Sequence, residues 1–171
     1  MIFVTVGTHE QPFDRLIRAI DQLKKEGKIT EEVIMQIGYS QYEPVCCTWQ
    51  RLYPYQQMME WVEKARIVIT HGGPSSFIMP LQIGKIPIVV PRQKQYGEHV
   101  NDHQLAFARA VAQRQKNIVV VEDVEKLEDI LSRYEEVVAS MSGMSGSNNQ
   151  AFNENLQHIV EQLFQTSQKR K

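Results

Sequence analysis

The run His71-Gly72-Gly73-Pro74-Ser75-Ser76 holds the densest chemistry in this sequence. An apolar run, Arg66-Ile67-Val68-Ile69-Thr70, precedes it, and a stretch of helical character from Ser75 to Ile83 follows, so it reads as a strand–turn–helix junction. Glycines let a ligand approach the backbone closely. A fresh helix N-terminus offers free N–H groups and the positive end of a dipole, and both favour a phosphate. Ser75 and Ser76 stand where helix N-caps belong, and their hydroxyls also suit phosphate oxygens. The same residues fit an ordinary βα turn with a serine cap. No Walker lysine follows and G-x-G-x-x-G is absent, so the usual ATP and NAD signatures are not met.

A second cluster is Glu98-His99-Val100-Asn101-Asp102-His103-Gln104. Six of these side chains are polar, and they crowd the expected start of a helix running from Glu98 to Gln113. Asp102 and Gln104 offer acceptors and donors for sugar hydroxyls, and Glu98 suits a ribose diol. An acidic first turn that complements the helix dipole fits equally. His99 and His103 stand four apart, a spacing that also suits a metal, but the zincin order H-E-x-x-H is missing and no metal is expected. The third cluster is Gly7-Thr8-His9-Glu10. Gly7 and Thr8 form a turn that can touch a diphosphate. His9 is a candidate base or hydrogen-bond donor to phosphate, though a lone loop histidine more often has no catalytic role.

The elements that must position these clusters follow from periodicity. Ile2 to Val6 is a β-branched strand ending at Gly7. Pro12 opens a helix whose apolar stripe is Phe13, Leu16, Ile17, Ile20 and Leu23. Val33 to Gly38 reads as a second strand, with a short third strand around Val45 to Trp49 that would bury the adjacent Cys46 and Cys47. A helix from Gln56 to Lys64, the strand before His71, a helix closed by Gly84 and a proline-bounded strand, Ile86 to Pro91, come next. A strand over Asn117 to Val121 and a helix over Val124 to Ala139 complete residues 1–140. Strand and helix alternate throughout, which predicts an α/β domain: a doubly wound, Rossmann-like parallel sheet with helices on both faces. Ligands on such sheets bind beyond the C-terminal strand ends, where all three clusters would share one rim. The stretch 141–149, rich in Ser, Gly and Asn, reads as a flexible linker. Residues 150–171 read as an amphipathic helix with a basic tail, its apolar face carried by Phe152, Leu156, Ile159, Val160, Leu163 and Phe164.

Composition narrows the partners. The chain has 171 residues, 19 Lys and Arg against 20 Asp and Glu, and a net charge of −1, so it lacks the basic footprint that nucleic acid requires. Two adjacent cysteines with no others suit a reducing compartment and fit neither a disulfide framework nor a zinc site. No signal peptide is visible and no apolar run approaches the ~20 residues of a membrane span.

Taken in order, the residues resemble a known family. Ile67 to Ser76, Ile83-Gly84-Lys85-Ile86-Pro87-Ile88-Val89-Val90-Pro91 and Asn101-Asp102-His103-Gln104 are similar to the C-terminal, donor-binding domain of family 28 glycosyltransferases, and Phe3-Val4-Thr5-Val6-Gly7-Thr8 fits its start. The likeness extends to the cytosolic subunit of the two-part eukaryotic N-acetylglucosaminyltransferase that makes lipid-linked chitobiose. It is closer still to bacterial capsule and exopolysaccharide subunits, through Pro91-Arg92-Gln93, Tyr96-Gly97-Glu98-His99 and Asn101 to Gln104.

That resemblance implies a single GT-B half-domain. His71, Gly72, Gly73, Pro74, Ser75 and Ser76 would line the diphosphate and nucleoside of a UDP-sugar. Asp102 and Gln104 would meet the sugar, with Gly7 and Thr8 on the phosphate side and Asn101 and Glu98 completing the donor site. Many relatives carry a Glu for the ribose diol where this chain has Met79, which would either shift that role to Glu98 or weaken ribose recognition. It further implies an inverting, metal-independent hexosyl transfer with the UDP-sugar as substrate and no cofactor. A membrane-anchored partner subunit would supply the lipid-linked acceptor, placing the chain in the cytoplasm at the inner face of the membrane. A non-catalytic nucleotide-sugar-binding regulatory subunit is the alternative. A sugar-nucleotide epimerase shares the fold but needs both domains.

Overall fold

A computed structural model of the chain describes residues 1–145. Six strands form one parallel sheet: β1 (Ile2–Thr5), β2 (Val33–Gln36), β3 (Thr48–Gln50), β4 (Ile67–His71), β5 (Ile88–Val90) and β6 (Val119–Val120). Their order is β3-β2-β1-β4-β5-β6, and every pairing is parallel. The chain winds outward from β1 in one direction and then from β4 in the other, so the sheet is doubly wound as expected. Thr5 pairs with Thr70, and His71 pairs with Val90. The loops after β1, β4 and β5 therefore leave the sheet at one end, on one rim.

Alternation along the central strands sorts the core into two faces, because successive strand side chains point to opposite sides. Ile2, Val4, Val6, Ile67 and Ile69 pack with Leu16, Ile17 and Ile20 of α1 (Asp14–Lys25). Phe3, Ile34 and Val68 pack on the other face with Val62 of α2 (Tyr55–Lys64), and Val89 packs with Phe77 of α3 (Pro74–Gln82) and Ala108 of α4 (His103–Gln115). Leu127 and Leu131 of α5 (Leu127–Ser132) and Tyr134 of α6 (Tyr134–Ser145) return to the α1 face. Each fully buried aliphatic side chain contributes about 1.5–3 kcal/mol relative to exposure, so the α1 stripe alone anchors the loop after β1 firmly.

Four expectations are corrected. The third strand is Thr48–Gln50, an exposed-alternating edge strand, so Cys46 is exposed and Cys47 half-buried instead of both lying in a buried strand. The loop before it is held by Asp21 instead, whose carboxylate accepts from Tyr42 Oη (2.6 Å) and from the N–H groups of Val45 and Cys46. Burial pushes the Asp21 pKa up, but these donors outweigh it and the net direction is down. The helix expected from Glu98 begins only at His103, because Gly97 takes a left-handed conformation and Asn101 Oδ1 accepts from His103 N–H (3.1 Å), closing a turn before α4. The helix expected over Val124 to Ala139 is broken at Arg133 into α5 and α6. Helix α6 continues to Ser145, into the stretch 141–149 read as a linker. The amphipathic helix expected over 150–171 lies outside the described residues.

Candidate functional site

A cleft of about 760 Å³ opens at the C-terminal ends of β1 and β4, where the strand order reverses. That is the point where doubly wound sheets place their ligands. Its floor is polar and includes Thr5, Gln36, His71 and Ser76, while Tyr53, Tyr55, Met58 and Met79 give it an apolar wall. Gly7, Thr8, His9 and Glu10 line the same cleft, so two of the three polar clusters meet there.

Strand β4 carries the backbone to His71, and α3 starts three residues later with Gly73 as N-cap and Pro74 at its first position. The proline costs nothing there, since its missing N–H had no helical partner to lose. Serine capping, which the sequence suggested, is not what the structure shows: Gly73 caps, with no side-chain hydrogen bond. Ser75 is exposed and Ser76 half-buried, and both face the cleft. No described residue accepts the Ser75 N–H, which leaves it to the cleft with the helix dipole behind it.

His71 is the buried centre of this turn. Its Nε2 lies 2.7 Å from Ser76 Oγ, and its Nδ1 accepts from Gly73 N–H at 3.0 Å. Burial, followed by the nearby Arg92 charge, pulls its pKa down to about 4, so the ring is neutral at physiological pH. The glycines serve this ring. A Cβ on Gly7 would sit 2.3 Å from His71 Nε2, and one on Gly73 would sit 2.2 Å from its Cε1. Gly7 also has φ +74°, a conformation that side chains resist. Gly72 packs against Gln104 in the same way, with a Cβ there only 2.9 Å from Gln104 Cβ. In the sequence these glycines look like room for a ligand; in the fold they are first of all room for His71 and Gln104.

The cluster after β5 is built differently. Glu98 is buried, and its carboxylate accepts from Arg15 Nε (2.8 Å), Arg15 Nη2 (3.0 Å) and Gln93 N–H (3.0 Å). The ribose role foreseen for Glu98 is therefore corrected: its oxygens are committed to the scaffold, and it does not line the cleft. Gln104 Oε1 accepts from Arg92 N–H at 3.4 Å, behind His71. Asp102 Oδ1 accepts from Lys94 N–H (2.8 Å), and the residue is exposed on the rim. Asn101 closes its own turn. His99 stands with His9, their rings 4.8 Å apart, and not with His103. Burial, Arg92 and His99 all pull the His9 pKa down, leaving it neutral as well. Among the described residues, no three of His, Cys, Asp and Glu gather as a metal-binding set.

The sequence does not show how two arginines tie the rim together. Arg92 is fully buried, and its guanidinium donates to the carbonyls of Val6 (2.9 Å), Gln11 (2.7 Å) and Glu98 (3.1 Å). It thus fastens the loop after β1 to the loop after β5. Burial lowers its pKa to about 10, which leaves it cationic at neutral pH, with Glu98 holding it up. Arg92 and Arg15 both stack on Phe13, at 4.8 and 5.5 Å from the ring centre. The Pro91-Arg92-Gln93 run flagged Arg92. Arg15, on an amphipathic helix, gave no signal at all. Thr5 and Gln36 end their strands at the cleft floor, with Gln36 Nε2 donating to Thr5 Oγ1 at 3.2 Å.

Comparison with known proteins adds family to geometry. Residues 1–163 match the glycosyltransferase family 28 C-terminal domain. Over 117 residues, 63% of this chain, the sequence is 34% identical to the human UDP-N-acetylglucosamine transferase subunit ALG13. The match covers 10% of that protein, so this chain spans a small part of its curated relative. A solved glycotransferase of kitacinnamycin superposes with a TM-score of 0.58 at 18% identity, over 92% of this chain and 42% of the other, a likeness of fold.

Proposed function

The chain belongs to glycosyltransferase family 28, as a C-terminal domain of that family, and from that premise we propose that it is the donor-binding half of an inverting, metal-independent UDP-sugar glycosyltransferase. The observation that carries this reading is the cleft at the β1/β4 switch point, where the Ser75 N–H, the Ser75 and Ser76 hydroxyls and the start of α3 converge. A nucleoside diphosphate matches it: the phosphates meet the helix N-terminus, and the base finds the apolar wall of Tyr53, Tyr55, Met58 and Met79.

In the reaction the acceptor hydroxyl attacks the anomeric carbon, the glycosidic bond to the phosphate breaks, and UDP leaves with the electron pair. Donors already aimed at the phosphate stabilise the charge that develops on it. No cofactor takes part. The hydroxyl proton needs a base, and His9, neutral and lining the cleft, is this chain's candidate. We assign the sugar contact to Asp102, which is exposed on the rim outside the lining of the cleft.

The acceptor site belongs to a second domain. The chain spans 42% of its structural neighbour, and the human relative it resembles is a transferase subunit. We assign that role to a membrane-anchored partner presenting a lipid-linked sugar in capsule or exopolysaccharide synthesis, with this chain at the cytoplasmic face. Among the described residues no helix is long and apolar enough to cross a membrane. A non-catalytic nucleotide-sugar-binding subunit is the second reading, favoured by Met79 on the apolar wall and by Glu98 turned to Arg15.

Transfer of radiolabelled sugar from a panel of UDP-sugars into lipid extract tests both. Membranes in which this chain is co-produced with a candidate membrane-anchored partner supply the enzyme. Transfer that needs this chain and falls at least tenfold in His9→Gln, with UDP affinity kept, supports the catalytic reading. Donor binding with transfer indifferent to cleft substitutions leaves only the regulatory one.

A further inference from the structure

His71 sits where a histidine would be expected to touch the phosphate itself, yet both of its ring nitrogens are engaged within the protein. Gly73 N–H can only donate, and at 3.0 Å it requires a lone pair on Nδ1. The amide oxygen of Gln104 also faces Nδ1, at 3.5 Å, and would ask for a proton there; the shorter contact decides. A neutral ring with a bare Nδ1 carries its single proton on Nε2. That proton points at Ser76 Oγ, 2.7 Å away. The ring has no freedom to turn, since Gly7 and Gly73 bracket it with no room for even one added carbon.

Ser76 Oγ is therefore an acceptor towards His71, and its own hydrogen must point elsewhere. No described residue accepts it, and Ser76 lines the cleft. A hydroxyl that accepts from an N–H is also polarised into a better donor. We propose that His71 is a positioning residue, a neutral Nε2–H donor that fixes the Ser76 hydroxyl as a hydrogen-bond donor to a phosphate oxygen of the nucleotide in the cleft. The low pKa of His71 agrees with the neutral ring that this requires. The inference rests on the donor-site reading of the cleft, and it assigns the phosphate contact to Ser76 and the orientation of that contact to His71.

The test is a double-mutant cycle on the full chain with UDP as the probe, read by calorimetry, beside nitrogen-15 spectra of the histidine rings. Ser76→Ala and His71→Ala should each weaken UDP binding by about tenfold, the worth of one hydrogen bond to a charged group. The double variant should be no weaker than the worse single one, because His71 acts only through Ser76. His71→Gln, which keeps an N–H near the Nε2 position, should restore most of the loss, and this rescue separates positioning from packing. The ring spectrum of the unsubstituted protein should show a protonated Nε2 and a bare Nδ1, whether or not nucleotide is present. Multiplying losses of about a hundredfold in the double variant, or a protonated Nδ1, would overturn the proposal. If His71→Ala proves unfolded, the Gln variant and the ring spectrum still decide. Failure of the unsubstituted chain to bind UDP would instead remove the donor-site reading on which this rests, and the two failures are told apart by that control.

Discussion

The loop after β4 and the loop after β5 look alike in sequence, each a dense polar run leading into a helix, but the fold uses them in opposite ways. Residues 71–76 turn one histidine inward and leave two serine hydroxyls at the cleft. Residues 98–104 turn their carboxylate and amide groups back on the protein: Glu98 to Arg15, Gln104 to the Arg92 backbone, Asp102 to the Lys94 backbone. The first loop leaves its donors facing the cleft, and the second is the brace that holds the rim. The difference arises from what stands behind each loop. Behind 71–76 are glycines with no side chains to bind, and behind 98–104 are two arginines and the backbone N–H groups of residues 92–94, which take these side chains as acceptors.

The largest expected effect on nucleotide binding breaks the first loop from within. Gly73→Ala drives a carbon into the His71 ring, and overpacking of this kind costs about 1–3 kcal/mol. UDP binding should weaken by at least about tenfold in calorimetry while circular dichroism shows a folded sheet. Unchanged binding would mean that the His71 geometry is irrelevant to the cleft.

Glu98→Ala attacks the brace. It strands the half-buried Arg15 charge, and breaking a buried pair costs about 3–5 kcal/mol, an upper range here because Arg15 keeps some solvent. Urea unfolding should show the loss, and UDP affinity per folded molecule should change less than about threefold. An affinity collapse with stability intact would restore Glu98 as a ligand residue.

Acidity separates the two loops next. The folded pKa of His71 is depressed below its unfolded value, so its neutral form contributes stability that is complete above about 6.5. That contribution is lost as pH falls from there towards about 4, since the unfolded chain takes up the proton first. His71→Gln should remove this part of the acid-induced decline in thermal unfolding profiles, and a curve that keeps it would place its origin elsewhere. The smallest effect is at the exposed rim. Asp102→Ala should weaken binding of a UDP-sugar by about three- to tenfold, as for one hydrogen bond, and that of UDP hardly at all. Equal losses for both would contradict contact with the sugar.

Much of this was legible in the residues. Alternation of β-branched runs with amphipathic stripes marked five strands closely, and doubly wound topology followed from it. Ser75, Ser76, Gly7, Thr8, His9 and His71 were singled out by type and spacing, and all of them border one cleft. The rest depended on long-range partners that no spacing encodes. Glu98 looked free because Arg15 is 83 residues away in sequence. The glycines looked ligand-facing because nothing in the sequence places the His71 ring between them. Cys46 and Cys47 looked buried because an apolar run reads the same at an exposed edge as in a core.

The most direct test of the contrast is a UDP titration followed by the backbone amide signals of the full chain. The largest, saturable shifts are expected at Gly7, Thr8 and Gly73 through Ser76, excluding Pro74, with residues 98–101 nearly still. Saturable shifts centred on residues 98–104, with the Gly73–Ser76 signals unmoved, would contradict it.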